Sequence, residues 1–258
     1  MPLHITEEDN EIVLDMIGLL PGVQAGKTSD IPNYTPTFIQ NNDGSDLEWI
    51  FGDIPNDWKN AASFGGGNPN NEKDNLIIGN SAASIGSEAF RDWNSNNQPL
   101  VIPDSVTSIG GYAFQGWNSN DQPLVIPDSV TSIEGNAFGD RTSNNHPLVI
   151  PDSVTSIGNG AFREWTSNNQ PLVIGNSVTS IGNSAFHDWS SMTEPIYFAC
   201  LFSALTGSNI LFNNGVTQIY ARVSQGWPIG TTQNISGSPN AIEILEWENY
   251  PNPIPNIP

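Results

Sequence analysis

Residues Leu100 to Pro123, LVIPDSVTSIGGYAFQGWNSNDQP, decide the fold, because the stretch returns twice without a gap, as Leu124 to Pro147 and Leu148 to Pro171. Looser copies occupy Leu76 to Pro99 and Leu172 to Pro195, so five repeats of 24 residues run head to tail. A period of this length is typical of a solenoid. One copy is too small to bury its own apolar face and must stack on its neighbours.

The composition favours a turn-rich β coil over packed helices. Of the 258 residues 37% are apolar, while Gly and Pro contribute 24 and 20 residues. Acidic residues outnumber basic ones by 27 to 7, and the net charge of −20 would repel a phosphate backbone or an anionic membrane surface. No apolar run reaches the roughly 20 residues that span a bilayer. We therefore expect a soluble protein with no nucleic acid partner and no membrane insertion.

The alternation within one repeat predicts which side chains form the core. Leu100 and Ile102 lie on one face of a short strand and Val101 on the other. A second extended piece follows the break at Pro103, and its Val and Ile should point inward. The Ala-Phe pair that comes next puts a small residue beside a large one, which should let the stacked coils interdigitate. The large residues predict a continuous aromatic spine of Phe90, Phe114, Phe138, Phe162 and Phe186.

The regions outside the repeats are less regular. Residues 1–64 are expected to form an N-terminal cap or docking module, which starts with an N-capped helix in which Ile12, Val13, Met16, Ile17 and Leu20 share one face. A Gly- and Asn-rich linker follows at 65–75. The chain ends in a region, 231–258, with one further strand and a Pro-rich tail.

The run IPDSVTSIGGYAF, Ile102 to Phe114, resembles the BspA-type (Treponema-type) leucine-rich repeat, a family of bacterial and viral surface solenoids whose members act in adhesion and binding. The resemblance implies a mainly β, right-handed leucine-rich repeat solenoid with short helical or irregular turns. It also implies that residues 196–230 form a degenerate capping repeat. The chain departs from the family at the position after the Ala-Phe pair, where the family carries a cysteine and this chain carries Trp93, Trp117, Arg141, Trp165 and Trp189.

Four ladders of equivalent residues are candidates for binding. The first is an aspartate row, Asp104, Asp128 and Asp152, with Asn80 and Asn176 at its ends. Carboxylates at strand spacing repel unless turn amides or a cation stabilise them, so turn capping and weak calcium binding are both open. The second is an outward apolar stripe of Ile77, Val101, Val125, Val149 and Val173, which a partner, a neighbouring subunit or the N-terminal region could cover.

The other two ladders are aromatic and hydroxylic. Trp93, Trp117, Trp165 and Trp189 could form a platform for sugars or for a partner's side chains, or they could fill core space left by a missing leucine. Thr107, Thr131, Thr155 and Thr179 form a row that would suit ice binding, although exposed threonine is also ordinary β-sheet surface.

These features favour a non-enzymatic binding or adhesion protein that recognises a cell-surface glycan or protein. The three histidines, His4, His146 and His187, form no paired metal motif, and no nucleophile or phosphate-loop motif is present. No cofactor is expected beyond weak calcium. Because no secretory signal peptide is visible, a virion-attached protein docked through residues 1–64 stands beside a surface adhesin. The alternative is an architectural subunit, a homo-oligomer that assembles through its repeat faces.

Overall fold

The computed structural model describes residues 4–8, 11–15, 38–40, 46–49, 75–78, 82–92, 100–117, 122–211, 213–233, 235 and 241–247. Up to residue 77 it describes backbone pairing only. The strands, in chain order, are β1 (His4–Glu8), β2 (Glu11–Asp15), β3 (Phe38–Gln40), β4 (Asp46–Trp49), β5 (Asn75–Ile78), β6 (Ser84–Ile85), β7 (Ser108–Ile109), β8 (Ser132–Ile133), β9 (Leu148–Ile150), β10 (Ser156–Ile157), β11 (Leu172–Ile174), β12 (Ser180–Ile181), β13 (Ile196–Phe198), β14 (Gln218–Ala221), β15 (Thr232–Gln233) and β16 (Ile242–Glu246). Two 3-10 helices occupy Phe202–Ala204 and Val223–Gln225.

The first extended piece of each repeat contributes to a row of parallel strands, which we call the LVI sheet. Strands β9, β11, β13, β14 and β16 pair in parallel in this order, and equivalent residues such as Val149 and Val173 are partners. Val101 and Val125 form a parallel bridge in the two preceding coils. The chain is therefore a parallel β-solenoid, as the repeat predicts.

The second extended piece of each repeat forms a separate parallel sheet, the SI sheet. Strands β6, β7, β8, β10 and β12 pair side by side, each through a Ser-Ile dipeptide. The Ile of each pair is buried and the Ser is half-buried, because successive side chains of a strand point to opposite faces.

The core follows the predicted inward positions. Leu100, Ile102, Val106, Ile109 and Phe114 are all buried. Backbone bonds between coils align the aromatic residues, since the amide of Phe114 donates to the carbonyl of Ala137 over 2.7 Å. The five predicted phenylalanines form one stack with ring centroids 5.3 to 5.4 Å apart, which confirms the spine.

The tryptophans lie in a second buried column beside this spine. Trp117, Trp165 and Trp189 expose at most 2% of their surface, and Trp165 and Trp189 stack with centroids 5.2 Å apart. The expectation of an exposed aromatic row is wrong for these three residues, and the alternative, that Trp fills core space, is correct. The indoles are accommodated because Nε1 of Trp189 finds a backbone acceptor, the carbonyl of Phe162. Trp93 lies outside the described residues.

Arg141 takes the tryptophan position in the middle copy and is also buried. Its guanidinium lies over the ring of Trp165, 5.3 Å from the centroid, and Nη2 reaches the carbonyl of Gln122 at 3.4 Å. Nε and Nη1 have no hydrogen-bond partner. Desolvation lowers the pKa of Arg141 to about 10. This side chain is a poorly satisfied charge within an otherwise aromatic column.

The Asn-rich stretches after the tryptophan position complete the return side of the coil. Asn144 and Asn168 are buried, and their amide groups donate to the carbonyls of Gln122 and His146 in the preceding turn of the solenoid. Buried asparagine therefore satisfies backbone groups where a leucine could only fill space.

The N-terminal region differs from its prediction. The expected helix is wrong for the described residues, because β1 and β2 form an antiparallel hairpin in which Glu8 pairs with Glu11. The run Ile12-Val13-Leu14 suits a strand as well as a helix, and only Asp9 and Asn10, residues of the turn-forming type, separate the two strands. The residues at 16–20 proposed for the helix face lie outside the described residues.

An antiparallel edge strand closes the C-terminal end of the LVI sheet and one edge of a separate three-stranded sheet at the N-terminal end of the repeats. At the N-terminal end β4 pairs in parallel with β5, and β3 lies antiparallel on β4. At the C-terminal end β15 lies antiparallel on β16. Residues 1–64 therefore contribute β3 and β4 to the three-stranded sheet, and residues 231–258 contribute β15 and β16 to the LVI sheet. Such closure protects strand edges that would otherwise pair with other chains.

Candidate binding groove

Three outward valines of the LVI sheet, Val125, Val149 and Val173, line the floor of an open groove, and Val101 precedes them in the same column. Val101 is 63% exposed and Val125 is 51% exposed, whereas Val149 is half-buried and Val173 is only 8% exposed. We call these four residues the Val stripe. The stripe is thus a free apolar surface at its N-terminal end and a covered one at its C-terminal end. Ile77, the first member predicted from the sequence, lies in β5, where only the backbone is described.

Aromatic residues of the last coils cover the C-terminal end of the stripe. Tyr197 and Tyr220 continue the outward column and stack 5.4 Å apart. They form a second apolar cluster with Val173, against which Trp247 packs. Trp247 meets Tyr197 edge-on at 5.4 Å. The cover therefore comes from this chain's own C-terminal region.

The aspartate row forms one side of the groove. Asp104, Asp128 and Asp152 are all exposed and line the same cavity as Val125 and Val149. Oδ1 of Asp152 accepts the backbone amide of Asn176 in the next coil over 2.8 Å. A turn amide is therefore one of the groups that stabilise this row, in agreement with the turn-capping interpretation of the sequence.

The residue that follows each LVI strand shapes the groove along its length. This column consists of prolines in the first coils. Its side chains are small at Gly175 and Ala199 and large at Arg222 and Trp247. Gly175 is required here, because a Cβ atom would lie 2.5 Å from the carbonyl oxygen of Pro151. The groove is thus open above the prolines and glycine and ends at the Arg222 and Trp247 side chains.

The resulting cavity encloses about 950 Å³ and extends over several coils. Arg222 is exposed and lies over the ring of Trp247, 5.6 Å from its centroid. Among the described arginines, Arg91 and Arg163 form ion pairs and Arg141 is buried, whereas Arg222 has no carboxylate within ion-pair distance in the described part of the chain. The groove therefore has acidic groups towards one end and a cation at the other.

The threonine row lies away from this groove, beside the SI sheet. Thr107, Thr131, Thr155 and Thr179 are exposed, but each hydroxyl donates to a backbone carbonyl of the preceding coil. The donor to acceptor distances are 3.0 to 3.1 Å. These hydroxyls thus reinforce the pairing of adjacent coils.

Two groove residues, Arg222 and Trp247, were not among the sequence candidates. Their signal is positional, because Ala221 pairs with Phe198 and Glu246 with Ala221, which puts both residues in the column after the strand. The irregular spacing of the last coils hides this register in the sequence.

The described residues contain no group of three or more His, Cys, Asp or Glu side chains placed to hold a metal ion. In that same part of the chain, no helix has the length and apolar character needed to cross a membrane. Cys200 is buried and free, and burial raises the pKa of its thiol to about 12.

Comparison with solved structures gives three bacterial proteins, two of which are described as leucine-rich. The pneumococcal vaccine antigen PcpA shares 17% identity at a TM-score of 0.49, over 65% of this chain and 40% of its own. A leucine-rich cell surface protein of Faecalibacterium prausnitzii A2-165 shares 24% identity at a TM-score of 0.48, over 75% of this chain and 56% of its own. A leucine-rich repeat protein of Bacteroides ovatus shares 19% identity at a TM-score of 0.37, over 84% and 67%.

The chain therefore spans less than two thirds of the first two of these proteins. No curated protein sequence matches it significantly. The family profile described as "BspA type Leucine rich repeat region" matches six copies over residues 70–193. Residues 70–193 of this chain therefore match the BspA-type leucine-rich repeat profile, and the parallel solenoid and the Phe spine agree with that match.

Proposed function

We propose that this protein is a non-enzymatic binding protein that recognises a partner polypeptide through the groove on the LVI sheet. The single observation that carries the proposal is the exposure of Val125 on the floor of the groove, next to the exposed Val101 of the preceding coil. Contiguous exposed apolar surface bordered by polar groups is a property of interaction sites. The family's surface solenoids make adhesion at a cell or virion surface the setting that we infer.

A polypeptide partner is favoured over a glycan by the chemistry of the floor. Sugars are bound by stacking on exposed aromatic rings together with directed hydrogen bonds, and the three described tryptophans of the repeats are buried. The open end of the floor carries aliphatic valines instead, which suit aliphatic side chains of a partner. Enzymatic treatment of the bound cells would reveal a glycan partner.

A matched pair of substitutions in one coil tests the proposal. Val125→Arg places a bulky charge on the groove floor, and Thr131→Arg places the same charge at an exposed position beside the SI sheet. Labelled wild-type chain is applied to a panel of cells, and both variants are measured on the cells that it binds. We expect Val125→Arg to lower binding at least tenfold and Thr131→Arg to leave it unchanged. Equal binding by the two variants would refute the groove as the site.

Enzymatic treatment of the same cells identifies the class of partner. Binding that is lost after protease treatment and retained after glycosidase treatment supports a polypeptide. Loss after glycosidase treatment alone would assign the groove to a glycan and contradict the polypeptide part of the proposal.

The architectural alternative rests on the same exposed valines, since two copies could cover each other's stripe. Face-to-face pairing would bring the exposed carboxylates of two Asp rows together in a chain of net charge −20, which opposes it. Solution mass separates the two functions. A stable monomer supports partner binding, and a dimer that Val125→Arg dissociates would support assembly.

A further inference from the structure

Resting on the proposed function, we infer that the groove selects a polypeptide segment that carries basic side chains along the Asp row and a carboxylate at the Arg222 end. The fold and the family leave the chemistry of the partner open. The order of charges along the groove, and the distance between them, favour this segment.

One end of the groove is acidic. Asp104, Asp128 and Asp152 occur once per coil, so their backbones lie about 4.8 Å apart along the solenoid and the row is about 10 Å long. These carboxylates are exposed beside an apolar floor, where the low dielectric of a bound partner would strengthen a charge-assisted contact. A partner without cations would desolvate them without supplying a counter-charge, at a cost in binding.

The closed end of the groove has the opposite charge. The row stops after Asp152, because Asn176 takes the equivalent position in the next coil. Two coils beyond the coil of Asn176, Arg222 lies in the column of the groove wall, and its guanidinium lies over the Trp247 ring. An arginine held on an aromatic face keeps a planar fork of N–H donors that matches a carboxylate.

The spacing sets the length of the segment that would be read. From the coil of Asp104 to the coil of Arg222 there are five steps of about 4.8 Å, or about 24 Å. An extended chain covers about 3.3 Å per residue, so about seven residues fit between the two ends. A segment of this length with basic residues in its first half and a terminal or side-chain carboxylate complements both ends. A second copy of this acidic chain does not.

Synthetic peptides provide the probe. The reference peptide is the heptapeptide KVKVKGS with a free C-terminal carboxylate, and its partners are the same peptide with a C-terminal amide and the charge-reversed peptide EVEVEGS. Calorimetric titration of the full chain with each peptide, at low salt and at physiological salt, measures the dissociation constants. We expect the reference peptide to bind at least tenfold more tightly than the charge-reversed peptide. Amidation should weaken binding at least threefold.

Variants assign these differences to the groove. Arg222→Gln should weaken binding of the free-carboxylate peptide to the level of the amide peptide. Binding of the amide peptide should stay unchanged, because the substitution and the amidation remove the same contact. Asp128→Asn should weaken the binding of both lysine peptides and reduce the salt dependence of that binding. Arg163 is a half-buried arginine outside the groove that is ion-paired to Glu164, and Arg163→Gln is the control, which should change nothing.

The outcomes are separable from those of the proposed function. Equal binding of the reference and charge-reversed peptides, or an amide effect that persists in Arg222→Gln, would overturn the inference even if Val125→Arg still abolishes cell binding. If Val125→Arg leaves cell binding intact, the groove itself is not the binding site and the proposed function is wrong, whatever the peptides show.

Discussion

The indole Nε1 of Trp165 donates a hydrogen bond over 2.6 Å to the backbone carbonyl of Phe138, a residue of the preceding coil. Nε1 of Trp189 makes the same bond to Phe162, and Nε1 of Trp227 bonds to the carbonyl of Cys200. The tryptophan column therefore joins successive coils through a buried polar contact as well as through packing. This relationship makes these tryptophans structural residues of the solenoid.

Replacing Trp165 by Phe is expected to destabilise the fold without a direct effect on binding. The change removes the indole donor, leaves the Phe138 carbonyl without that bond and opens a cavity, at a cost of about 2–4 kcal/mol in the free energy of unfolding. Denaturant titration measures this loss. Trp247→Phe, in the half-buried groove wall, is the control and should cost less than about 1 kcal/mol. Equal losses for the two variants would argue against a core role for Trp165.

Replacing Arg141 by Trp is expected to stabilise the protein. The substitution removes a buried charge with two unpartnered nitrogens and restores the residue found in the copies on either side. Replacement of a buried charge by a well-packed apolar group often adds about 1–4 kcal/mol. Thermal unfolding should therefore shift upward by several degrees, whereas Arg163→Trp on the surface should not raise it. A lower melting temperature for Arg141→Trp would show that the column requires the guanidinium.

Cys200 is expected to be inert in the folded protein. Because burial raises the pKa of its thiol to about 12, the nucleophilic thiolate is absent at neutral and mildly alkaline pH. Iodoacetamide at about pH 8.5, near the pKa of a free thiol, should label the chain in denaturant and not in its native state. Similar labelling rates in the two states would contradict the buried position.

The same raised pKa gives a pH dependence of stability. The folded state holds its thiol proton more tightly than the unfolded state, so this contribution is complete below about pH 8.5 and declines as the pH rises towards 12. Cys200→Ala should make the unfolding free energy less sensitive to pH in that window. An identical pH profile in wild type and variant would remove Cys200 as the cause.

Removing residues 1–64 is expected to expose a strand edge. That deletion takes away β3 and β4, and the backbone groups of β5 that pair with β4 then lose their partners. Deletion of residues 1–36 keeps both strands and serves as the control. Size-exclusion chromatography should show aggregation only for the longer deletion. A monomeric, equally stable product of the longer deletion would show that the N-terminal strands have no capping role, and docking would remain as their proposed function.

The sequence predicted the solenoid and its core well, because a strict 24-residue period carries every residue of the repeat to an equivalent place. Ile109 was placed inward on the second extended piece and Phe114 as the large member of the Ala-Phe pair, and both are buried. The outward position of Val101 followed in the same way. Where the repeat is regular, periodicity and burial therefore agree.

Prediction failed where long-range or irregular contacts decide. The repeat treats Val101 and Val173 as equivalent, yet one is open and the other covered, because Tyr220 and Trp247 come from coils outside the regular array. The side on which Trp165 lies could not be read from alternation, since it stands in a turn and not in a strand. Residues near Ile12 were ambiguous between helix and strand because a short apolar run fits both periods.

The most direct test of the groove as the binding surface is site-specific photo-cross-linking. A benzophenone amino acid placed at Val101, the exposed end of the Val stripe next to the groove, is compared with the same group at Thr107, which is exposed beside the SI sheet of the same coil. Both proteins are bound to a cell population that wild type recognises and are then irradiated. Our account predicts a covalent adduct with a partner polypeptide from position 101 and none from position 107. Adducts from position 107 alone, or equally from both, would contradict it.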